Sequence, residues 1–105
     1  MKAIVVLTTM PEVRSARKMA DRLVRKKLAA CVSVLPGVSS IYHWQDKIEK
    51  AQEVQLLIKT STARWKDLQK FVLAEHPYDL PELVALPVTA GSKKYLSWIQ
   101  ASVRH

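Results

Sequence analysis

The sequence predicts a single domain with an α+β fold, and three features of the 105-residue chain indicate it. First, short apolar runs typical of strands alternate with segments in which apolar residues recur at helical spacing. Second, these segments follow the order strand, helix, strand, strand, helix, strand, with one more helix at the end. Third, the length suits one domain, because chains usually divide only above about 200 residues. We therefore expect a single domain over residues 1–105.

The first strand and the first helix have clear sequence boundaries. Residues 2–8 form a continuous apolar and β-branched run, typical of a strand that is buried on both faces. Pro11 suits the first position of a helix, and Glu12 then lies in its first turn. Apolar residues recur at helical spacing from Val13 to Leu28, and basic residues fill the opposite side. This pattern predicts an amphipathic helix of roughly four turns.

A long hairpin follows. Residues 30–44 have strand character, and a Pro-Gly pair at 36–37 predicts a bulge or bend, because proline cannot donate to a ladder. A Gln-Asp pair at 45–46 predicts a tight reversal, after which residues 47–60 form the return strand. Each arm of about 14 residues would measure about 46 Å, whereas a globule of this size is about 33 Å across. We therefore expect the hairpin to project beyond the body of the domain.

The last part of the chain predicts a helix, a strand and a final helix. Ser61 or Thr62 can cap the first of these, and Pro77 ends it. Residues 83–89 are apolar enough for a buried strand, and residues 93–103 suit a short helix. The residues that we expect to face inward from the two helices are Trp65, Leu68, Phe71, Val72, Tyr95, Leu96, Ile99 and Val103.

These elements fit the ferredoxin-like βαββαβ arrangement with an appended C-terminal helix. Right-handed crossovers place the two main helices on one face of a four-stranded antiparallel sheet. The first and last strands are nevertheless apolar on both faces, so the other face also needs a cover. A partner subunit would cover this face and would also bind the exposed backbone groups of the projecting hairpin. The alternative is that the C-terminal helix covers this face alone.

Charge and composition exclude several classes of protein. The net charge is +8, from 17 basic and 9 acidic residues, and residues 14–27 contain seven of the basic ones. This stripe is either the solvated face of the helix or a surface for a polyanion. A single cysteine, Cys31, excludes an internal disulfide and a Cys-rich zinc module, and we expect it to pack as a small hydrophobe. Without a membrane-length apolar run or a signal pattern, the expected location is the cytoplasm.

The loop over residues 75–82 concentrates groups that can bind a metal. It contains Glu75, His76, Asp79 and Glu82, on a backbone that two prolines stiffen. Copper and zinc accept imidazole together with oxygen ligands. The alternative role for His76 is to tie the loop by hydrogen bonds.

Eight short blocks stand in a fixed order along almost the whole chain. They are LAACV at 28–32, PG at 36–37, YHW at 42–44, EVQLLIKT at 53–60, HPY at 76–78, PEL at 81–83, LPVT at 86–89 and YLSW at 95–98. Their combination resembles the CutA family, the divalent-cation tolerance proteins. The resemblance implies a ferredoxin-like fold, a tightly interlocked homotrimer similar to the PII-type signalling trimers, and a non-enzymatic role in tolerance of divalent metals. Copper, or another divalent cation, is the implied metal.

The resemblance also implies site residues. The family's copper-site hypothesis joins a cysteine at the end of the first strand to a His-His pair before Pro-Tyr. Thr8 and the pair Glu75-His76 stand at these positions here, so only His76 carries over, with Glu75 as a second predicted ligand. Residues predicted to line an intersubunit cleft, where they bind a small effector or form a structural network, are Tyr42, Trp44, Glu53, Lys59, Tyr78, Glu82 and Trp98.

Two of these pairs have further expected roles. Tyr42 and Trp44 share one strand face near the hairpin tip and suit interface anchors. Glu53 and Lys59 also share a strand face, where an acid and a base could meet a small anionic or zwitterionic ligand or a second subunit.

Two other functions are compatible with parts of the sequence. A nucleic-acid-binding module could use the basic first helix, but the aromatic pattern of RNA-binding ferredoxin-like domains is missing, and the one phenylalanine, Phe71, lies on a helix. A small hydrolase or isomerase could use Glu82 and His76. No nucleophile elbow or phosphate loop is present, and His43, His76 and His105 are widely spaced, so we expect no enzyme.

Overall fold

The computed structural model describes residues 2–104, and its elements follow the predicted order. Strands β1 (Ala3–Met10), β2 (Cys31–Trp44), β3 (Lys47–Ser61) and β4 (Val84–Pro87) form an antiparallel sheet in the order β2-β3-β1-β4. The helices are α1 (Val13–Arg25), α2 (Trp65–Glu75) and α3 (Lys93–Ser102). The predicted ferredoxin-like arrangement with a C-terminal helix is therefore confirmed. His105, the third histidine of the sequence, lies outside the described residues.

The core lies between one face of the sheet and helices α1 and α2. Alternate residues of β1 and β3 point into it, as the strand period requires. Each fully buried aliphatic side chain contributes roughly 1.5–3 kcal/mol, and this layer holds both helices on the sheet. Trp65 and Phe71 are only half-buried at its edge. The large apolar side chains that are fully enclosed are Val6, Leu23, Leu56, Ile58, Leu68 and Val72.

Helix α1 is shorter at both ends than the sequence predicts. It begins at Val13 and not at Pro11, because Glu12 is extended (φ −152°) and acts as the N-cap residue. The helix ends at Arg25, and Lys27 adopts a left-handed conformation (φ 59°). That turn returns Leu28 to the core, which explains why the apolar pattern continues past the helix end.

The start of α2 also differs from the prediction. Ser61 belongs to β3, and a 3₁₀ turn over Thr62–Arg64 leads into the helix without a side-chain cap from either predicted residue. The Thr62 hydroxyl instead accepts a hydrogen bond from the backbone N–H of Lys2 (3.3 Å). Arg64 is buried, and its Nε donates to the carbonyl of Lys27 (3.2 Å). This bond ties the start of α2 to the end of α1.

Strands β2 and β3 form the predicted projecting hairpin. Their pairing is continuous except for a register shift between Leu35 and Val38, where Gly37 (φ 78°) belongs to the predicted bulge. At the tip, Gln45 (φ 49°) and Asp46 (φ 63°) form the predicted two-residue reversal, with the positive dihedral angles of a type I′ turn. The molecule measures 44 Å along its longest axis, against 26 and 23 Å across it. The elongated shape confirms that the hairpin overhangs the body.

The second face of the sheet is only partly covered. Helix α3 packs on this face through Ile99 and Val103, which are 2 % and 3 % exposed. Strand β4 is a short, exposed edge strand and not the buried strand predicted over residues 83–89, because none of residues 2–104 covers it. Helix α3 therefore does not cover this face alone. The large apolar side chains left at least 40 % exposed here are Leu35, Val84 and Leu86.

The helices in the described part of the chain are too short or too polar to cross a membrane.

Candidate functional site

A groove of about 1130 Å³ lies between the hairpin and the loop that follows α2. On the hairpin side, Tyr42 and Trp44 project from the same face of β2, since they are two residues apart. Loop residues 77–83 form the opposite wall. Five of the seven residues predicted for a cleft line this groove: Tyr42, Trp44, Glu53, Tyr78 and Glu82.

The hydroxyl of Tyr78 connects the loop to the hairpin. It donates a hydrogen bond to Oε2 of Glu53 on β3 (3.0 Å). Burial and this bond to the carboxylate raise the pKa of Tyr78 to about 12, because both favour the neutral phenol. The phenol is therefore a donor at every physiological pH, and it fixes the Glu53 carboxylate on the floor of the groove.

The amide of Gln55 holds the second carboxylate of the groove. Its Nε2 donates to Oε2 of Glu82 (3.2 Å) and to the carbonyl of Thr8 (2.9 Å). Glu82 is thereby attached to the end of β1 through a neutral group. Sequence reasoning did not single out Gln55. Its signal is a polar residue on the second face of β3, directly after Glu53 and before Leu57 on that face.

His76 fastens the loop through both of its ring nitrogens. Its Nδ1 accepts a hydrogen bond from the backbone N–H of Tyr78 (3.1 Å), so Nε2 carries the proton and donates it to the carbonyl of Thr9 (2.7 Å). Burial lowers the pKa of His76, against smaller opposing effects of the Thr9 bond and the Glu53 charge. The ring is therefore neutral and acts as the hydrogen-bonded tie that was the alternative to a metal ligand.

Glu75 is paired with a residue of another helix. Its carboxylate forms an ion pair with Arg22 of α1, and both side chains are about half exposed. Among residues 2–104, no three His, Cys, Asp or Glu side chains lie together so that they could hold a metal ion. The described residues, as arranged, do not fit a divalent-metal site. Metal binding by His76 and Glu75 stays a prediction, and it requires both residues to give up their present partners.

Lys59 and Trp98 lie outside the groove. The Lys59 ammonium is 5.8 Å from the ring centroid of Tyr95, and Tyr95 stacks on Trp98 with centroids 5.5 Å apart. Tyr95 is 41 % exposed and does not face inward as predicted, because its ring packs along α3 and beneath Lys59. Glu53 and Lys59 share a face of β3, but the groove contains only the acid.

The geometry does not support the acid–base pair of the hydrolase alternative. His76 bonds to Thr9 and Tyr78, whereas Glu82 bonds to Gln55, and the described part of the chain shows no contact between the two. Nothing in the fold or in the comparisons below supports the nucleic-acid alternative.

Comparison with known proteins identifies the family. Residues 4–102 match the family model of the CutA1 divalent ion tolerance protein. The divalent-cation tolerance protein CutA of Pectobacterium atrosepticum is 45 % identical over 102 residues, which cover 97 % of this chain and 93 % of the relative. CutA of Yersinia pestis (strain Pestoides F) is 48 % identical over 101 residues, which cover 96 % of this chain and 85 % of the relative.

Solved structures agree with the sequence comparison. The divalent cation tolerance protein of Thermus thermophilus superposes with a TM-score of 0.93 at 45 % identity, covering 95 % of this chain and 97 % of the other. CutA of Xylella fastidiosa gives 0.95 at 41 % identity, covering 99 % and 100 %. A structure from Archaeoglobus fulgidus that is named as periplasmic gives 0.93 at 35 % identity, covering 97 % and 99 %. The chain belongs to the CutA family of divalent-cation tolerance proteins.

Proposed function

We propose that this chain, a single domain of the cytoplasm, serves tolerance of divalent cations, copper first among them, as a non-enzymatic homotrimer with ligand-binding grooves between subunits. The observation that supports the proposal is the uncovered second face of the sheet, where Val84 and Leu86 are each 48 % exposed. Large contiguous apolar patches are uncommon on monomeric proteins. A closed ring of three copies covers the same patch in every subunit.

The exposed hairpin supports the same assembly. Ile41 and Ile48 are 68 % and 60 % exposed, and Tyr42 and Trp44 stand near the tip with 43 % and 38 % exposure. Aromatic side chains of this kind are enriched in the centres of protein interfaces. A hairpin that reaches a neighbouring copy gives the open groove beside that copy's hairpin a further wall.

The divalent metal enters this proposal as the ion that is tolerated and not as a resident cofactor. The ion pair of Glu75 and the two hydrogen bonds of His76 occupy the groups that would bind it. We propose copper binding at His76 and Glu75 only for a rearranged loop, in which both side chains have left their present partners.

Sedimentation velocity of the full chain, with and without equimolar Cu(II), tests the assembly. We expect three times the 11.9 kDa of one chain, and we expect Trp44→Ala to weaken association. His43→Ala is the matched control, because His43 lies on the opposite face of the same strand. A well-folded wild-type monomer at high dilution would contradict the proposal. In a strain that lacks the gene, the wild type should restore growth in copper, and Trp44→Ala should restore less.

A further inference from the structure

The layer formed by α1 and α2 carries most of the positive charge of the molecule. Residues 12–27 and 62–75, which include both helices, contain 10 of the 17 basic and 4 of the 9 acidic residues, so they contribute +6 of the net charge of +8. This layer covers one face of the sheet, whereas the apolar patch of the proposed trimer lies on the other face. Its outer surface therefore stays accessible both in one chain and in the proposed assembly.

Ion pairs neutralise only part of this charge. Three of the four carboxylates in the layer pair with arginines: Asp21 with Arg25, Asp67 with Arg64, and Glu75 with Arg22. The Lys26 ammonium lies over the ring of Phe71. The exposed cations that form no ion pair among residues 2–104 are Arg14, Arg17, Lys18, Lys27, Lys66 and Lys70. We refer to these six residues as the basic face.

The charges of the basic face oppose the stability of their own helices. Arg14 lies in the first turn of α1, and Lys66 in the first turn of α2, where the helix dipole disfavours a positive charge. Lys18 and Lys70 follow them at a distance of four residues, and like charges at this spacing destabilise a helix. Folding therefore does not explain these positions, whereas binding to an anionic partner does.

Contacts between the two helices make the basic face one broad surface. The ion pair of Arg22 with Glu75 joins α1 to the end of α2, and the bond from Arg64 to the carbonyl of Lys27 joins the start of α2 to the end of α1. Helix α1 has 13 residues and is about 20 Å long, and two helices side by side are about 20 Å wide. Because the cations are spread over this area and not gathered in one pocket, an extended anionic surface is complementary to them.

We infer that the basic face binds the anionic headgroups of a lipid bilayer. The cytoplasmic leaflet has a negative surface potential, which attracts each lysine or arginine that lies close to it. Helices α1 and α2 also leave two large apolar side chains exposed, Val24 (42 %) and Leu73 (48 %), and the interfacial region of a bilayer accepts such side chains. The inference goes beyond the proposed function and requires no particular assembly state.

Two other macromolecular partners fit the basic face less well. The major groove of a DNA duplex is about 12 Å wide and admits a single helix, whereas α1 and α2 together are too broad to enter it. The core of a protein interface is depleted in charged residues, lysine among them, whereas the outward positions of these two helices are mostly charged. A lipid surface requires neither a groove nor an apolar core.

Co-sedimentation of the full chain with lipid vesicles tests the inference. One set of vesicles contains phosphatidylcholine alone, and in the other about a third of the lipid is anionic phosphatidylglycerol. We expect the chain to bind the anionic vesicles at least about tenfold more tightly at low salt. Raising the salt concentration should reduce this difference, because salt screens the surface potential.

Paired variants locate the binding surface. Arg14→Gln together with Lys18→Gln removes two charges from the basic face, and we expect it to weaken binding to the anionic vesicles by about tenfold or more. Lys93→Gln together with Lys94→Gln is the matched control, because it removes the same charge from exposed positions at the start of α3. Affinity in this control should stay close to that of the wild type.

Thermal unfolding of the same variants separates binding from folding. Because the charges of Arg14 and Lys18 oppose the helix dipole and each other, their double variant should have a Tm no lower than that of the wild type while it loses vesicle binding. Lys66→Gln together with Lys70→Gln should behave in the same way on α2. A lower Tm in both double variants would assign the basic face to folding and overturn the inference.

The outcomes differ from those that test the proposed function. Equal binding to neutral and anionic vesicles, or an equal loss of binding in the α3 control, overturns the inference. Tighter binding to a short DNA duplex than to anionic vesicles at the same salt concentration would assign the basic face to nucleic acid and also overturn it. Failure of the proposed trimer would instead appear as a lower mass in sedimentation velocity, without a change in the preference between vesicles.

Discussion

Replacing Thr8 with valine should stabilise the protein. Thr8 lies on the core face of β1 with no exposed surface, and its hydroxyl is a buried side-chain group without a hydrogen-bond partner among residues 2–104. Burying an unpaired polar group costs about 1–3 kcal/mol, and valine keeps the branched shape while removing the hydroxyl. We expect Thr8→Val to raise the free energy of unfolding by about 1 kcal/mol, or Tm by about 4–8 °C for a domain of this size.

Thr60 provides the matched comparison on the neighbouring strand. It is equally buried, but its hydroxyl donates to the carbonyl of Leu28 (2.7 Å). Thr60→Val removes this bond and leaves the carbonyl unpaired, so Tm should fall. Both variants are melted at one protein concentration, because association shifts Tm. A Tm that falls for Thr8→Val as it does for Thr60→Val would show that the buried Thr8 hydroxyl does not destabilise the protein.

Three further predictions concern the hairpin tip and the loop. Asp46→Gly should raise the midpoint of denaturant unfolding, because Asp46 has φ 63° and glycine adopts that conformation without a steric penalty. A lower midpoint would show a stabilising role for the aspartate side chain. The free energy of unfolding should fall as the pH drops below 6.5. Burial lowers the pKa of His76 in the folded protein, so the unfolded chain binds the proton first. His76→Gln should flatten this part of the measured pH profile. His76→Ala should reduce Cu(II) affinity in calorimetry, and unchanged affinity would dismiss His76 as a ligand.

The fold could be predicted because its signals are local. The period-2 pattern of β3, the Pro-Gly pair at 36–37 and the Gln-Asp pair at 45–46 each act through dihedral angles and neighbouring side chains. The structure confirms the strand, the bulge and the reversal at these positions. Burial was less predictable: Val84 and Leu86 read as core residues, but their exposure depends on what covers the second face, which sequence spacing does not encode.

The sequence predicted several of the residues that form the site, but it did not predict the contacts that these residues make. Spacing brought Tyr42 and Trp44 to one strand face, which holds in the structure. The partner of His76 is the carbonyl of Thr9, 67 positions away along the chain. Such a contact depends on how the loop after α2 meets the end of β1, and a run of acidic and histidine residues carries no information about it. A metal site and a hydrogen-bonded tie therefore look the same in the sequence.

Charge pairing, and not total charge, separates the two surfaces of this molecule. Part of the basic stripe on α1 serves packing, since Arg22 and Arg25 pair with carboxylates and the Lys26 ammonium lies 5.4 Å from the ring centroid of Phe71. Exposed ion pairs of this kind contribute about 1 kcal/mol or less to stability, but they neutralise carboxylates on the helix side of the molecule. In the groove, by contrast, the carboxylates of Glu53 and Glu82 accept hydrogen bonds from the neutral side chains of Tyr78 and Gln55. The net charge of +8 therefore describes the helix side of the chain better than the groove, whose wall among the described residues contains three acids and no lysine or arginine.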